Sequence, residues 1–319
     1  MTERLESILS ALHRITQLED EVRDFINTGR HQVELLSSRN TWNQICSSLD
    51  VIGDTALSIQ DYVTSPFPAS DGLKYVYTYG LLQSLFLQQD AVRHLSEAFN
   101  LPHSPSERLT RIRDIRNSAI GHPTKQGGNE NRRYNYISRI TMAKTGFTLM
   151  RASVDDDAKF IDVDLVAIIG EQLTDIEDAL SSLSTKLQEA DRMHREKFGN
   201  NLLRDIFHAS TGYLFEKVSQ GIHSPSYSNS SFGLSMLGSI EEMYKRFEAA
   251  LLERRELNDY TRYDLNEYTH AIGVLKGYLS GNPKGLSESD ARVYHFYLRE
   301  QHKHFVAIAE EIDSEYREA

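Results

Sequence analysis

The sequence predicts a mainly α protein, a helical bundle interrupted by a small antiparallel β insertion and followed by extra C-terminal helices. Three observations predict it. Apolar residues recur at three- and four-residue spacing through most of the chain. The period drops to two only between residues 136 and 163. Hydrophobic residues make up 39% and charged residues 25% of the 319, a globular composition rather than a disordered one.

In chain order, residues 3–27 carry Leu5, Ile8, Leu12, Ile15, Leu18, Val22 and Ile26 on one stripe, an amphipathic helix ending near Gly29. A second helix is expected over 31–63, from Leu35 and Trp42 through Ile59, stopping before Ser65-Pro66-Phe67-Pro68. A third, over 73–99, is apolar almost all round in its first half and is expected to be central and buried. Gln88 falls on its stripe of Leu81, Leu85, Val92 and Leu95, so a polar partner must face it. Ser104-Pro105-Ser106-Glu107 reads as N-cap Ser104, Pro at the first helical position and Glu at the third, opening a helix to about Ile120. Gly121 ends it, and Pro123 keeps His122 out of the helical region.

Residues 136–142, 147–152 and 160–163 alternate as short strands, parted by Lys144-Thr145-Gly146 and Asp155-Asp156-Asp157, the latter a turn. Helical patterning resumes at Leu165 and continues towards Lys217. The Ser-rich stretch 221–233 is the best linker candidate, which divides the chain into a first domain over 1–220 and a C-terminal helical region over 234–319. That region holds three more helices, over 234–257, 260–280 and 287–315.

Composition narrows the function classes. No stretch approaches the roughly 18 apolar residues of a membrane span, and no apolar run follows a basic start, so a cytoplasmic protein without a membrane partner is expected. Cys46 is the sole cysteine, so no intrachain disulfide or thiolate metal cluster can form, and its expected role is that of a small buried hydrophobe. The net charge of −11 argues against a general nucleic-acid binder. Yet residues 106–139 hold eight basic against three acidic residues, a local +5 that leaves −16 for the rest. A phosphate is expected there sooner than anywhere else.

The chemistry concentrates at the end of the 105–120 helix. Leu109, Ile112, Ile115, Ala119 and Ile120 define an apolar face, Arg116 falls inside it, and Arg111, Asp114 and Ser118 point away. An arginine on a core-facing stripe is costly unless paired or opened to a cleft. His122 lies just past the helix end, where unpaired carbonyls favour an imidazolium, and Asn117 sits between them at the edge of the face. Arginine and histidine suffice for RNA cleavage without a metal. The imidazole moves a proton to or from the ribose 2′-OH and the leaving 5′-oxygen, and the guanidinium holds the phosphoryl charge.

Arg113-Asp-Ile-Arg-Asn-Ser-Ala-Ile-Gly-His-Pro123 resembles the signature of the HEPN superfamily: Arg, often followed by Asn or another polar residue, then His after four to six residues. The resemblance covers about residues 75–125. It implies a HEPN-like up-and-down helical core, a homodimer that brings two motifs into one cleft, and endoribonuclease activity of the kind found in toxins, antiviral defence and stress proteins. On it, Arg116 is the phosphate-stabilising residue, His122 the acid/base and Asn117 the polar neighbour. A subgroup carries Tyr two residues after the His, a target of a partner transferase. Thr124 stands there in this chain, so that toxin–antitoxin arrangement is not expected.

Plainer readings stand beside these. Arg116 can be a structural arginine bonded to Asp90 or Gln88 on the preceding helix, and the same two residues can support a catalytic one. His122 can be a helix cap, and the basic window a solvated face. Arg113, Lys125, Arg132 and Arg133 are the candidate RNA-binding cations, with Tyr134 and Tyr136 as rings for unstacked bases, although strand tyrosines also serve packing. His295, His302 and His304, spaced seven and two apart, do not form the helical pair that zinc sites use. The expectation is therefore a cofactor-free, metal-independent dimeric endoribonuclease with RNA and a possible regulatory protein as partners. The alternatives are a non-catalytic module binding RNA, a nucleotide or a protein, and a helical adaptor.

Overall fold

Ten α-helices and three strands appear among the residues described by the computed structural model, which are 2–128, 132–153, 157–223, 227–282 and 285–317. They form two units. One comprises Met1–Asn27 with Ser38–Gln188, the other Thr28–Ser37 with Glu189–Ala319. The division falls inside a continuous helix, whereas composition placed it in 221–233. Most of that stretch is helical, and residues 224–226 lie outside the described ones.

In the first unit, α1 (Thr2–Asn27) buries Ile8, Leu12, Ile15, Val22 and Ile26, the stripe its periodicity predicts. The expected helix over 31–63 is instead two, α2 (Gly29–Leu36), which belongs to the second unit, and α3 (Arg39–Thr64) in the first. The serines between them explain the break. Ser37 Oγ donates to Glu34 O at 2.6 Å, and Ser38 Oγ accepts from Thr41 N at 3.4 Å, so side chains take over backbone bonds that a continuous helix would make.

α4 (Asp71–Ala98) packs closely on α3 through Leu81, Leu82, Leu85, Val92 and Leu95. Its first half is not the buried cylinder expected, since Leu73, Val76 and Tyr79 remain exposed. Gln88 does meet the polar partner its position demanded. Gln172 on α6 (Leu165–Phe198) donates from Nε2 to Gln88 Oε1 (3.0 Å) and Leu85 O (2.9 Å), and its Oε1 accepts from Gln89 Nε2 (2.8 Å). All three amides are buried, so this cluster fixes the register of α4 against α6.

α5 (Glu107–Arg116) is capped by Ser106, whose Oγ accepts from Leu109 N at 3.1 Å, not by Ser104. Beyond α5 the chain makes one π-helical turn, Asn117–Gly121. The sheet follows in the order β1-β2-β3, antiparallel throughout: β1 (Arg133–Ile137), β2 (Gly146–Ser153) and β3 (Lys159–Asp164). Phe147, Leu149 and Val163 bury one face. Asp155 and Asp156 of the expected acidic turn lie outside the described residues.

The second unit contains α7 (Thr211–His223), α8 (Tyr227–Arg254), α9 (Asp259–Leu279) and α10 (Glu288–Glu315). Their core is aromatic, built on Phe207, Phe215, Tyr244, Phe247, Tyr268 and Phe305. α10 begins with a reciprocal capping box of Ser287 and Asp290. The three C-terminal histidines serve this packing separately. His295 Nε2 donates to Phe215 O (2.9 Å), His302 Nδ1 shares a hydrogen bond with Tyr244 Oη (2.9 Å), and His304 lies 3.5 Å from Asp264.

Candidate functional site

The π turn governs the geometry at the end of α5. His122 N donates to Asn117 O at 2.7 Å, an i→i+5 bond that shifts the helical phase by one residue. Ser118, which an ideal helix of about 100° per residue turns away from the apolar face, is fully buried all the same, because Gln126 and Arg151 cover it. Leu109, Ile112 and Ala119 are buried as expected, while Ile115 and Ile120 are only half-buried. His122 leaves the helix at φ −138°, ψ 51°, with an exposed side chain.

Arg116 is half-buried. Its guanidinium lies 4.2 Å above the centre of the Phe86 ring, Nη2 and Nε donate to Gln83 Oε1 (2.7 and 3.3 Å), and Nη1 donates to Asn117 Oδ1 (2.9 Å). Two neutral amides and a ring thus position it, and no carboxylate of the described residues neutralises it. Gly121 makes that placement possible, since a Cβ there would stand 2.8 Å from Nη1.

Neither of the anticipated supports touches Arg116. Asp90 accepts from Arg113 Nη2 (2.5 Å), whose Nε bonds Gln89 Oε1 (2.8 Å), and Gln88 is held by Gln172 in the core. Arg113 shares the Phe86 ring at 4.6 Å, but its charge is spent on Asp90. It braces α5 against α4. Arg108 and Arg111 are likewise paired, with Asp175 and Glu171. Three of the eight cations in the window are thus paired with carboxylates within the fold, which corrects the picture of one continuous basic segment. Lys125, Arg133 and Arg139 are exposed without an acidic partner among the described residues, and Arg132 is half-buried.

The loop that carries His122 is clamped to the sheet. Asn135 N donates to Pro123 O (2.8 Å), and Gln126 and Arg133 exchange backbone bonds (2.9 and 3.0 Å). Below them runs a polar cluster that sequence reasoning did not identify. Gln126 Oε1 accepts from Ser118 Oγ (3.0 Å) and Asn135 Nδ2 (3.1 Å), while Arg151 donates to Ser118 Oγ (2.8 Å), Asn135 Oδ1 (3.1 Å) and Asp114 Oδ2 (3.3 Å). Asn135 and Ser118 are buried, so the cluster holds the π turn against β1 and β2. The one available signal was the pair of polar residues, Asn135 and Arg151, on otherwise apolar strand positions.

The structure therefore brings Arg116, Asn117, Gln83 and Phe86 together and leaves His122 on the adjoining exposed loop. Among the described residues no hydrogen bond joins His122 to Arg116, and no group of three metal-ligating side chains converges. No helix is long and apolar enough to cross a membrane. No protein-family model, curated protein sequence or solved structure matches the chain.

Proposed function

We propose that the chain is a HEPN-type, metal-independent endoribonuclease whose site is Arg116 with His122, completed by a second copy of the same motif in a homodimer. The supporting observation is the electrostatic state of Arg116. Arg108, Arg111, Arg113 and Arg151 all face carboxylates, whereas Arg116 is oriented by Gln83, Asn117 and Phe86 without losing its charge. A guanidinium held in place yet not neutralised suits an incoming phosphodiester.

In the reaction, the ribose 2′-oxygen attacks phosphorus and the P–O5′ bond breaks, giving a 2′,3′-cyclic phosphate and a 5′-hydroxyl. His122 takes the 2′-OH proton or supplies the one that the 5′-oxygen needs. With two copies present, one imidazole performs each transfer. Arg116 stabilises the charge building on the non-bridging oxygens. Such chemistry leaves DNA intact and proceeds in EDTA.

A second reading has one observation in its favour. His122 has no side-chain hydrogen-bond partner among the described residues, so nothing within one chain sets its orientation. That suits a module which grips RNA at Arg116 without cutting it. Labelled RNA incubated with the protein in EDTA separates the two. Cleavage that His122→Ala and Arg116→Ala both abolish supports the enzyme, retention without cleavage supports the module, and cleavage unaffected by either substitution excludes the site.

A further inference from the structure

We infer that the open face of the β-sheet is a base-stacking platform for single-stranded RNA, a binding surface distinct from the Arg116 site. The registers place Tyr136 opposite Met150 and Met150 opposite Phe160, one cross-strand row running over all three strands. Residues of a row share a face, and the neighbouring positions Asn135, Leu149 and Val163 occupy the buried one. Tyr136 is 53% exposed and Phe160 70%, large values for rings on strands whose alternate residues are in the core. Two aromatic rings left open on a sheet are an unpartnered surface of considerable apolar area.

Two observations favour nucleic acid as the occupant. First, charge: Arg139 lies two residues past the end of β1, on the side of Tyr136, and Lys125 sits on the loop adjoining the strand. Both are exposed cations with no acidic partner among the described residues, in a chain otherwise strongly acidic. The carboxylates of the open face, Asp162 and Asp164, lie towards the far end of β3 and are engaged by Thr148 Oγ1 (2.7 Å) and Ala167 N (2.9 Å). Second, continuity: β1 is bonded directly to the His122 loop through Asn135 N and Pro123 O. A strand with bases on the rings reaches Arg139 at one end of β1 and, past the strand's edge, Lys125 and the His122 loop at the other.

Rings bind unpaired bases through their π faces whatever the base, while flanking cations hold the phosphates. β1 and β3 are separated by two strand spacings, about 10 Å, so Tyr136 and Phe160 offer separate faces to separate bases. The inference rests on the proposed RNA reading only for the strand's route to Arg116 and His122, and stacking itself requires no cleavage.

The test uses the full chain with two probes, a short labelled single-stranded RNA and an abasic ribose-phosphate strand of equal length. Binding is measured by fluorescence anisotropy in EDTA for the wild type, Tyr136→Ala, Phe160→Ala and His122→Ala. Both ring positions are exposed, so circular dichroism and a thermal melt check that these variants stay folded. The platform predicts that RNA binds more tightly than the abasic strand, that each ring substitution weakens RNA binding on the order of tenfold, and that abasic binding is unchanged. His122→Ala keeps this preference, and it does so even if no form of the protein cuts RNA, which separates failure of the platform from failure of the nuclease. Equal affinity for the two strands overturns the inference. So does unchanged RNA affinity in both ring variants, or an effect of those variants on self-association alone, which would make the face a contact between protein copies.

Discussion

Gly121→Ala probes the packing that orients Arg116. Gly121 is not among the glycines with positive φ, so alanine fits its backbone, but the added Cβ would lie 2.8 Å from Arg116 Nη1 and 3.2 Å from Asn117 Oδ1. A comfortable non-bonded separation is about 3.5 Å, so the guanidinium must retreat by about 0.7 Å. The retreat breaks the Nη1 bond to Asn117 and leaves Gln83 as the remaining polar anchor. Losing a hydrogen bond to a charged group costs at most about 1.5–3 kcal/mol, less where water can replace it. Removing glycine from a helical turn returns about 0.5–1 kcal/mol. Net destabilisation is then about 1 kcal/mol, too little to unfold the protein. A displacement of this size at a reacting phosphate lowers the rate by on the order of 100-fold. Urea denaturation with cleavage of labelled RNA in EDTA reads both numbers. A folded variant that cuts at the wild-type rate refutes the argument that Gly121 exists to admit the guanidinium.

Gln172→Leu leaves Gln88 Oε1 and Gln89 Nε2 buried without their partner. At about 1–3 kcal/mol for each orphaned group, less the gain from an apolar side chain, the loss is about 2–4 kcal/mol. A chemical denaturation midpoint within error of the wild type would contradict the account of how α4 and α6 are registered. The second unit should lose stability in acid. Burial, and then the charge of Arg204, holds His302 down to about 4 from its ordinary 6.5. Its neutral form is therefore favoured by folding, so its contribution is complete above about pH 6.5 and is lost as the pH falls towards 4. His302→Gln should flatten that part of the stability profile, and a profile of unchanged slope would refute the assignment. Gln83→Leu removes the acceptor for two Arg116 nitrogens and should raise the KM for RNA more than it destabilises the fold. An unaltered KM would show that Gln83 does not set the guanidinium.

What was legible in the sequence was local. Alternation over 147–152 and 160–163 announced β2 and β3, and helical spacing announced α10 from Ser287, because these signals lie within a few residues, whereas the first strand, expected over 136–142, is Arg133–Ile137 followed by a 3-10 turn at Arg139–Thr141. Gln88 on an apolar stripe required a polar partner, although only the fold could reveal it as Gln172, 84 residues away. The break at Ser37-Ser38 was hidden because apolar spacing runs across it from Leu35 to Trp42. Two serines compete to cap α5, and the pattern around Ser104 looked complete while the bond is made by Ser106. The unit boundary within α6 interrupts neither composition nor helicity.

At the site, Arg116, Asn117 and His122 could be singled out by residue type and position. Their surroundings could not. Ser118 lies off the helix's apolar face and is buried by Gln126 and Arg151, and no periodicity anticipates the i→i+5 bond that ends the helix. The ring and amide that hold Arg116 lie on α4, and the Asn135–Arg151 clamp lies on the sheet, so each is a product of tertiary packing. The basic window lost three of its eight cations to carboxylates for the same reason.

Product chemistry tests the central claim most directly. RNA cut by the protein in EDTA should end in a 2′,3′-cyclic phosphate, and one 2′-deoxy substitution at the cut position should stop the reaction there. A 3′-hydroxyl end, or undiminished cleavage of the 2′-deoxy strand, would mean that the ribose hydroxyl is not the nucleophile and that Arg116 and His122 do not perform the proposed reaction.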